Sequence, residues 1–251
     1  MRTIHGLILL ALSAGMTGCV TESSGGLPGP APVKERVQAH LELARGYLEQ
    51  RDFVRAKPPL ERALEIDPRS VETHVLTAVV MQAENEPELA EEHYLTALGI
   101  RPEDPQALNN YASFLYAQSR FADALVPLKK LVRNTTYRAR PLAFESLGLA
   151  HLQLGETEAA GAAFTRALEL NQRLPRSVLA LAEIGFATGD LEVAERRFNE
   201  YNRLARPSAG SLCLGLKLAF ANQDADSIAS YGLSLKNLYP EQADQCQMKS
   251  P

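Results

Sequence analysis

Apolar residues recur on one side of successive helical stretches of this chain, and the same small–large–small group returns at a nearly fixed interval. The segment DFVRAKPPLERALEIDP, from Asp52 to Pro68, carries Ala56, Leu60 and Ala63 at the i, i+4, i+7 spacing of a helix face. The group returns as Ala90, Tyr94 and Ala97, closed by Pro102, with every position advanced by the same interval. It returns again as Ala124, Leu128 and Leu131, as Ala160, Phe164 and Ala167, and as Ala194, Phe198 and Tyr201. A looser sixth copy is read at Ala229, Leu233 and Pro240, so that the leading alanines step by 34, 34, 36, 34 and 35. Each stripe follows a second one of the same period. In the first unit that upstream stripe holds Leu43, Ala44 and Tyr47, with Leu43 and Tyr47 one helical turn apart and expected to point inward together.

A helical repeat of about 34 residues is the tetratricopeptide period. The expected fold is all-α: a right-handed superhelical solenoid of about six tetratricopeptide repeats, each an antiparallel helix pair, over residues 34–240. Such an array needs no single large core, because each repeat packs only on its neighbours. Turns fall at Arg51–Asp52, Asn85–Pro87, Gly155–Glu156 and Gly189–Asp190. Pro58 and Pro59 lie inside the second helix of the first repeat, where they remove backbone donors and some distortion is expected; Pro127 also lies inside a second helix. Two extra residues near 135–140 are expected to bend or loosen the array. Lys236 is read as standing where the last copy would carry alanine, a polar change suited to a terminal cap, with residues 241–251 beyond it as a tail.

The beginning of the chain has a different composition. Arg2 gives a positive start, Leu7–Leu12 a short apolar run, and Thr17 and Gly18 small residues before Cys19. The run is too short to span a bilayer and reads as an export signal over residues 1–18. Its ending MTGC resembles a bacterial lipobox, with Met16 in place of the usual leucine. That resemblance implies a diacylglycerol and an N-acyl chain on Cys19. Val20 rather than aspartate follows, which by the same resemblance points to the outer membrane, with the folded body on the periplasmic face. Residues 19–33, rich in Ser, Gly and Pro, read as a flexible tether.

A formal net charge of −4 argues against nucleic acid as a partner, since neutralising phosphates takes a basic face. No HExxH, glycine-rich phosphate loop or GxSxG motif occurs, so the chain is read as non-enzymatic, without cofactor, metal or small-molecule substrate. His40 and His74 stand one repeat apart, and with His151 they are read as packing residues. The aromatic group Tyr111, Phe114, Tyr116 and Phe121 is read as core. Cys213 and Cys246 form an even pair once Cys19 is set aside, and either a disulfide pinning the tail or two separate thiols would fit. The repeat register assigns Leu41, Arg45, Leu48, Val75, Val79, Asn109, Asn110, Tyr116, Leu149 and Leu152 to a concave partner-binding groove. That lining is apolar enough for an apolar peptide or amphipathic helix. Arg45, Asn109 and Asn110 supply only fragments of the cationic cluster by which some tetratricopeptide proteins clamp a chain terminus.

The segments GCVTESS, YLEQRDFVRAKPPLERALEIDP, LNNYASFLY and SYGLSLKNLYP, together with the lipobox and six repeats, resemble the type IV pilus biogenesis lipoproteins of the PilF/PilW family. The resemblance runs from Cys19 to the end of the sixth repeat and departs at Met16 and in the alanine-rich second helix of the fourth repeat. It implies a pilotin, a lipoprotein needed for localisation and multimerisation of the type IV pilus secretin, which would act by binding the secretin subunit. The lipid, the repeats and the missing chemistry would equally suit an adaptor for peptidoglycan hydrolases or for outer-membrane protein assembly.

Overall fold

The computed structural model describes residues 31–243 and Cys246. The expected signal segment, Cys19 and all but the last residues of the tether lie outside these residues. Twelve helices form six antiparallel pairs: α1 (Val33–Glu49) with α2 (Phe53–Ile66), α3 (Val71–Ala83) with α4 (Pro87–Ile100), α5 (Pro105–Ala117) with α6 (Phe121–Arg133), α7 (Arg140–Gln153) with α8 (Thr157–Leu170), α9 (Pro175–Ala187) with α10 (Leu191–Leu204), and α11 (Ala209–Ala221) with α12 (Ala225–Leu238). A single turn, α13 (Pro240–Ala243), follows. The chain is an all-α array of about six tetratricopeptide repeats.

One backbone device makes every pair. The residue that ends each first helix has positive φ: Arg51 (58°), Asn85 (63°), Ser119 (57°), Gly155 (75°), Gly189 (80°) and Gln223 (57°). The residue after it returns its N–H to a carbonyl in the last turn, as in Asp52 to Tyr47 (2.9 Å), Asp190 to Gly185 (2.8 Å) and Asp224 to Ala219 (3.0 Å). This left-handed closure satisfies carbonyls that a helix end leaves unpaired. The same three aspartates then cap the second helices, accepting from the backbone N–H groups of Arg55 (3.0 Å), Val193 (3.0 Å) and Ser227 (3.1 Å). One residue therefore stops one helix and starts the next, which forces the antiparallel return.

The positive-φ residues recur at steps of 34, 34, 36, 34 and 34, which corrects the register of the last repeat. Ile228, Gly232 and Leu235 stand one repeat after Ala194, Phe198 and Tyr201. Leu235 is 2% exposed, whereas Leu233 is 61% exposed and Ala229 is also exposed. Lys236 is thus an ordinary surface residue beside the buried position. A glycine at the large-residue position hides the register; Tyr231 fills that space instead, its ring meeting Phe198 edge-on at 5.9 Å.

Leu43 does not point inward. It is 50% exposed, while its counterparts Thr77, Leu147 and Leu181 are buried. Those three have a preceding repeat to pack on, and among the described residues Leu43 has none. The internal prolines leave α2 and α6 continuous. Other residues at positions 58 and 59 would donate to the carbonyls of Val54 and Arg55, both on the exposed side, where water can take the vacated acceptors. Nor does the two-residue insertion loosen the joint before α7. Asn134 Oδ1 accepts from the Thr136 N–H (3.0 Å) and hydroxyl (2.8 Å), and Arg140 Nε donates to the Val132 carbonyl at 2.7 Å.

At the far end a disulfide joins Cys213 on α11 to Cys246, with their Cα atoms 5.5 Å apart. Cys246 is buried against Leu212, Leu216 and Leu235, so it covers an apolar face that meets no further repeat among the described residues.

These joints can be tested by substitution and by reduction. Gly189→Ala adds a Cβ that meets no neighbouring atom. Its cost is therefore backbone strain alone, and urea unfolding should show a loss of roughly 1 kcal/mol; Ser119→Gly should change stability in the opposite direction. Reducing the Cys213–Cys246 bond, which closes a separation of 33 residues, should lower stability by about 3 kcal/mol in the same measurement.

Candidate functional site

First helices meet at three of the joints between repeats: α1 touches α3, α3 touches α5, and α9 touches α11. Second helices make no comparable contact, so the first helices form the inner side of the array. A groove lined by them is the natural binding surface of such a solenoid.

The ten residues assigned to that groove divide into four groups. Leu41 and Val75 are 2% and 1% exposed and belong to the core between helices, which corrects their assignment as contact residues. Arg45 reaches across to Glu72 on α3 and forms an ion pair that ties the first two repeats together. Leu48 and Leu152 are half-buried against core clusters, and Val79 and Asn110 are half-buried on α3 and α5. Asn109, Tyr116 and Leu149 do come together. They line one hollow of about 180 Å³ with Ala112, Ser113, Leu128, Ser146 and Arg176.

That hollow is built by three first helices and the floor beneath them. Asn109, Ser113 and Tyr116 lie on α5 at spacings of four and three, which puts them on one face. Ser113 donates its hydroxyl to the Asn109 carbonyl at 3.0 Å, leaving the Asn109 amide outside that bond. Tyr116 is braced edge-on by Phe121, ring centres 5.0 Å apart. Glu145 on α7 accepts from the N–H of Ser177 (3.1 Å) and from its hydroxyl (2.7 Å), and Ser177 is fully buried. This bridge fixes α9 against α7 and so sets the position of the neighbouring Arg176. Arg176 and Ser146 were missed in the sequence, although the row Glu72, Gln106, Leu142 and Arg176, at steps of 34, 36 and 34, marks the same helical position.

The histidines make a different arrangement. His74 Nε2–H donates to the Pro68 carbonyl (2.9 Å), so its Nδ1 accepts from His93 Nδ1–H at 3.0 Å. Burial, followed by the neighbouring His74, holds the His93 imidazole below its usual pKa. His151 pairs with Glu156 at the turn before α8. Among the described residues no three His, Cys, Asp or Glu side chains converge as a metal site would require. Of the aromatic group read as core, Phe114 alone is fully buried, at 1% exposed; Tyr111 packs on it and on Tyr94, while Tyr116 and Phe121 are half-buried and Tyr116 lines the hollow.

A tetratricopeptide-repeat family profile matches residues 41–105, 81–139 and 145–209. The type IV pilus assembly protein PilF of Pseudomonas aeruginosa is 37% identical over 239 residues, covering 95% of each chain. The chain belongs to the PilF/PilW family of type IV pilus assembly proteins. A solved Pseudomonas aeruginosa PilF structure superposes with a TM-score of 0.77 at 38% identity, over 83% of this chain and 94% of that one. A PilW structure, described as a widely conserved type IV pilus biogenesis factor, superposes with a TM-score of 0.71 at 27% identity, over 81% and 94%. As a PilF/PilW repeat protein, the chain works through protein–protein contacts.

His93 makes stability depend on pH with a definite sign. Its folded pKa lies below the ordinary imidazole value of 6.5, so the unfolded chain binds the proton more readily. The contribution of His93 is present above that value and is lost as pH falls through the folded pKa. Thermal melts across this window should show the loss, and His93→Gln should flatten it.

Proposed function

We propose that this protein is a pilotin for the type IV pilus secretin. It would bind secretin subunits without chemical turnover and promote their placement and multimerisation in the outer membrane. The observation that carries this reading is the full-length likeness to PilF, which spans the six repeats and 95% of the chain. The lipobox at Cys19 supports an anchored protein on the periplasmic face of the outer membrane. Several acyl chains give stable anchoring, each buried methylene contributing roughly 0.8 kcal/mol.

In this mechanism the lipid supplies the address and the repeats supply the grip. The Ser-, Gly- and Pro-rich tether lets the repeat array reach a subunit in the periplasm while the anchor stays in the membrane. A solenoid suits the task, because a long inner surface can hold an unassembled subunit through many weak contacts and release it once subunit–subunit contacts replace them.

The test compares cells lacking the gene with cells carrying Cys19→Ala, fractionating membranes and blotting for heat-resistant secretin multimers. Multimers should disappear without the gene and appear in the wrong membrane with the alanine form. Unchanged, correctly placed multimers in both would overturn the reading and favour an envelope adaptor.

A further inference from the structure

The hollow between α5, α7 and α9 combines two chemistries in a small space. Tyr116, Leu128 and Leu149 give it an apolar wall, while Asn109, Ser146 and Arg176 bring an amide, a hydroxyl and a guanidinium. Among the described residues Arg176 takes part in no ion pair, although other arginines, such as Arg166 and Arg197, are paired with glutamates along their own helices. Oε2 of Glu145, on the adjacent helix, accepts both bonds from Ser177. A guanidinium outside any ion pair and next to an amide and a hydroxyl is complementary to a carboxylate, which it can take in a two-pronged, charge-assisted contact. The adjoining apolar wall calls for an apolar group on the same ligand.

Size decides how charge and apolar group must be joined. A hollow of about 180 Å³ admits one residue's side chain and not the face of a helix. An internal Asp or Glu brings a carboxylate without an apolar body, and in an extended segment its immediate neighbour points to the opposite side. A C-terminal residue carries its carboxylate and its side chain on one Cα.

We propose that this hollow binds the free C-terminus of a polypeptide whose last side chain is apolar, the carboxylate on Arg176 with Asn109 and Ser146, and the side chain against Tyr116, Leu128 and Leu149. The proposal assigns a ligand to the groove of the preceding reading, and rests on that reading only in taking the partner to be a protein.

The test titrates the full chain, purified in detergent, with short acetylated Gly–Ser peptides ending in leucine, made either as the free acid or as the C-terminal amide. The acid should bind about tenfold or more tightly than the amide, a difference of about 1.4 kcal/mol. Arg176→Ala should abolish the preference, Arg176→Lys should keep part of it, and a serine-ended acid should bind more weakly than the leucine-ended one. Equal binding of acid and amide, binding of neither, or an undiminished preference in Arg176→Ala would each overturn the proposal. Arg176 is exposed, and an unchanged helical circular dichroism spectrum checks that its variants fold. The peptides contain no secretin sequence, so this result and the secretin-multimer result are read independently.

Discussion

Ala56, Ala90, Ala124, Ala160 and Ala194 all have no exposed surface, and the array depends on their being small. Each sits where a second helix crosses its neighbours, with the bulk supplied one turn later by Leu60, Tyr94, Leu128, Phe164 or Phe198. A methyl group at the crossing lets the backbones approach, and the large residue fills the gap beside it. Lengthening any of these alanines would force helices apart along the stack, since overpacking a dense core shifts its neighbours. Phe164 shows how little room is left: a Cβ added to Gly148 would lie 2.8 Å from its ring.

Because every repeat borrows part of its core from the next, the two ends are special. Leu43 is left exposed at the first pair. At the last pair the chain folds back instead, and Cys246 is held by the disulfide over Leu212, Leu216 and Leu235. Between the ends, polar bridges such as Arg45 to Glu72 and Arg120 to Glu91 tie successive repeats at the surface. Glu91 also accepts from Tyr111 at 2.7 Å, and the hydrogen bond from Arg120 chiefly holds its carboxyl below the usual range. These partly exposed pairs orient repeats more than they stabilise them.

The functional surface is a by-product of the same geometry. Packing consumes one side of each first helix, and the inner side is left to carry residues with no structural duty. Around α5, α7 and α9 those residues form a hollow with apolar and cationic walls, whereas on α1 and α3 the corresponding leucine and valine are drawn into the core. Binding in such a protein is a matter of which inner residues remain unspent.

The period, the helix pairing and the turns were legible in the sequence, because a packing contact repeated from unit to unit leaves the same small–large–small mark at each copy. The disulfide pairing was left open there, since spacing says nothing about distance. The last repeat was misaligned by one residue because Gly232 carries no side chain to mark the register. Leu43 was misplaced because a repeat pattern does not say which copy lacks a neighbour. The groove was the least legible part. Helical register names the face on which Leu41, Val75 and Leu149 lie, but whether a side chain on that face is buried or free depends on how close the next helix comes. Arg176 joins Asn109 from two repeats away only because Ser177 locks onto Glu145, a contact no periodicity encodes. Repetition is written along the chain; the approach of one helix to the next decides which residues that repetition leaves over.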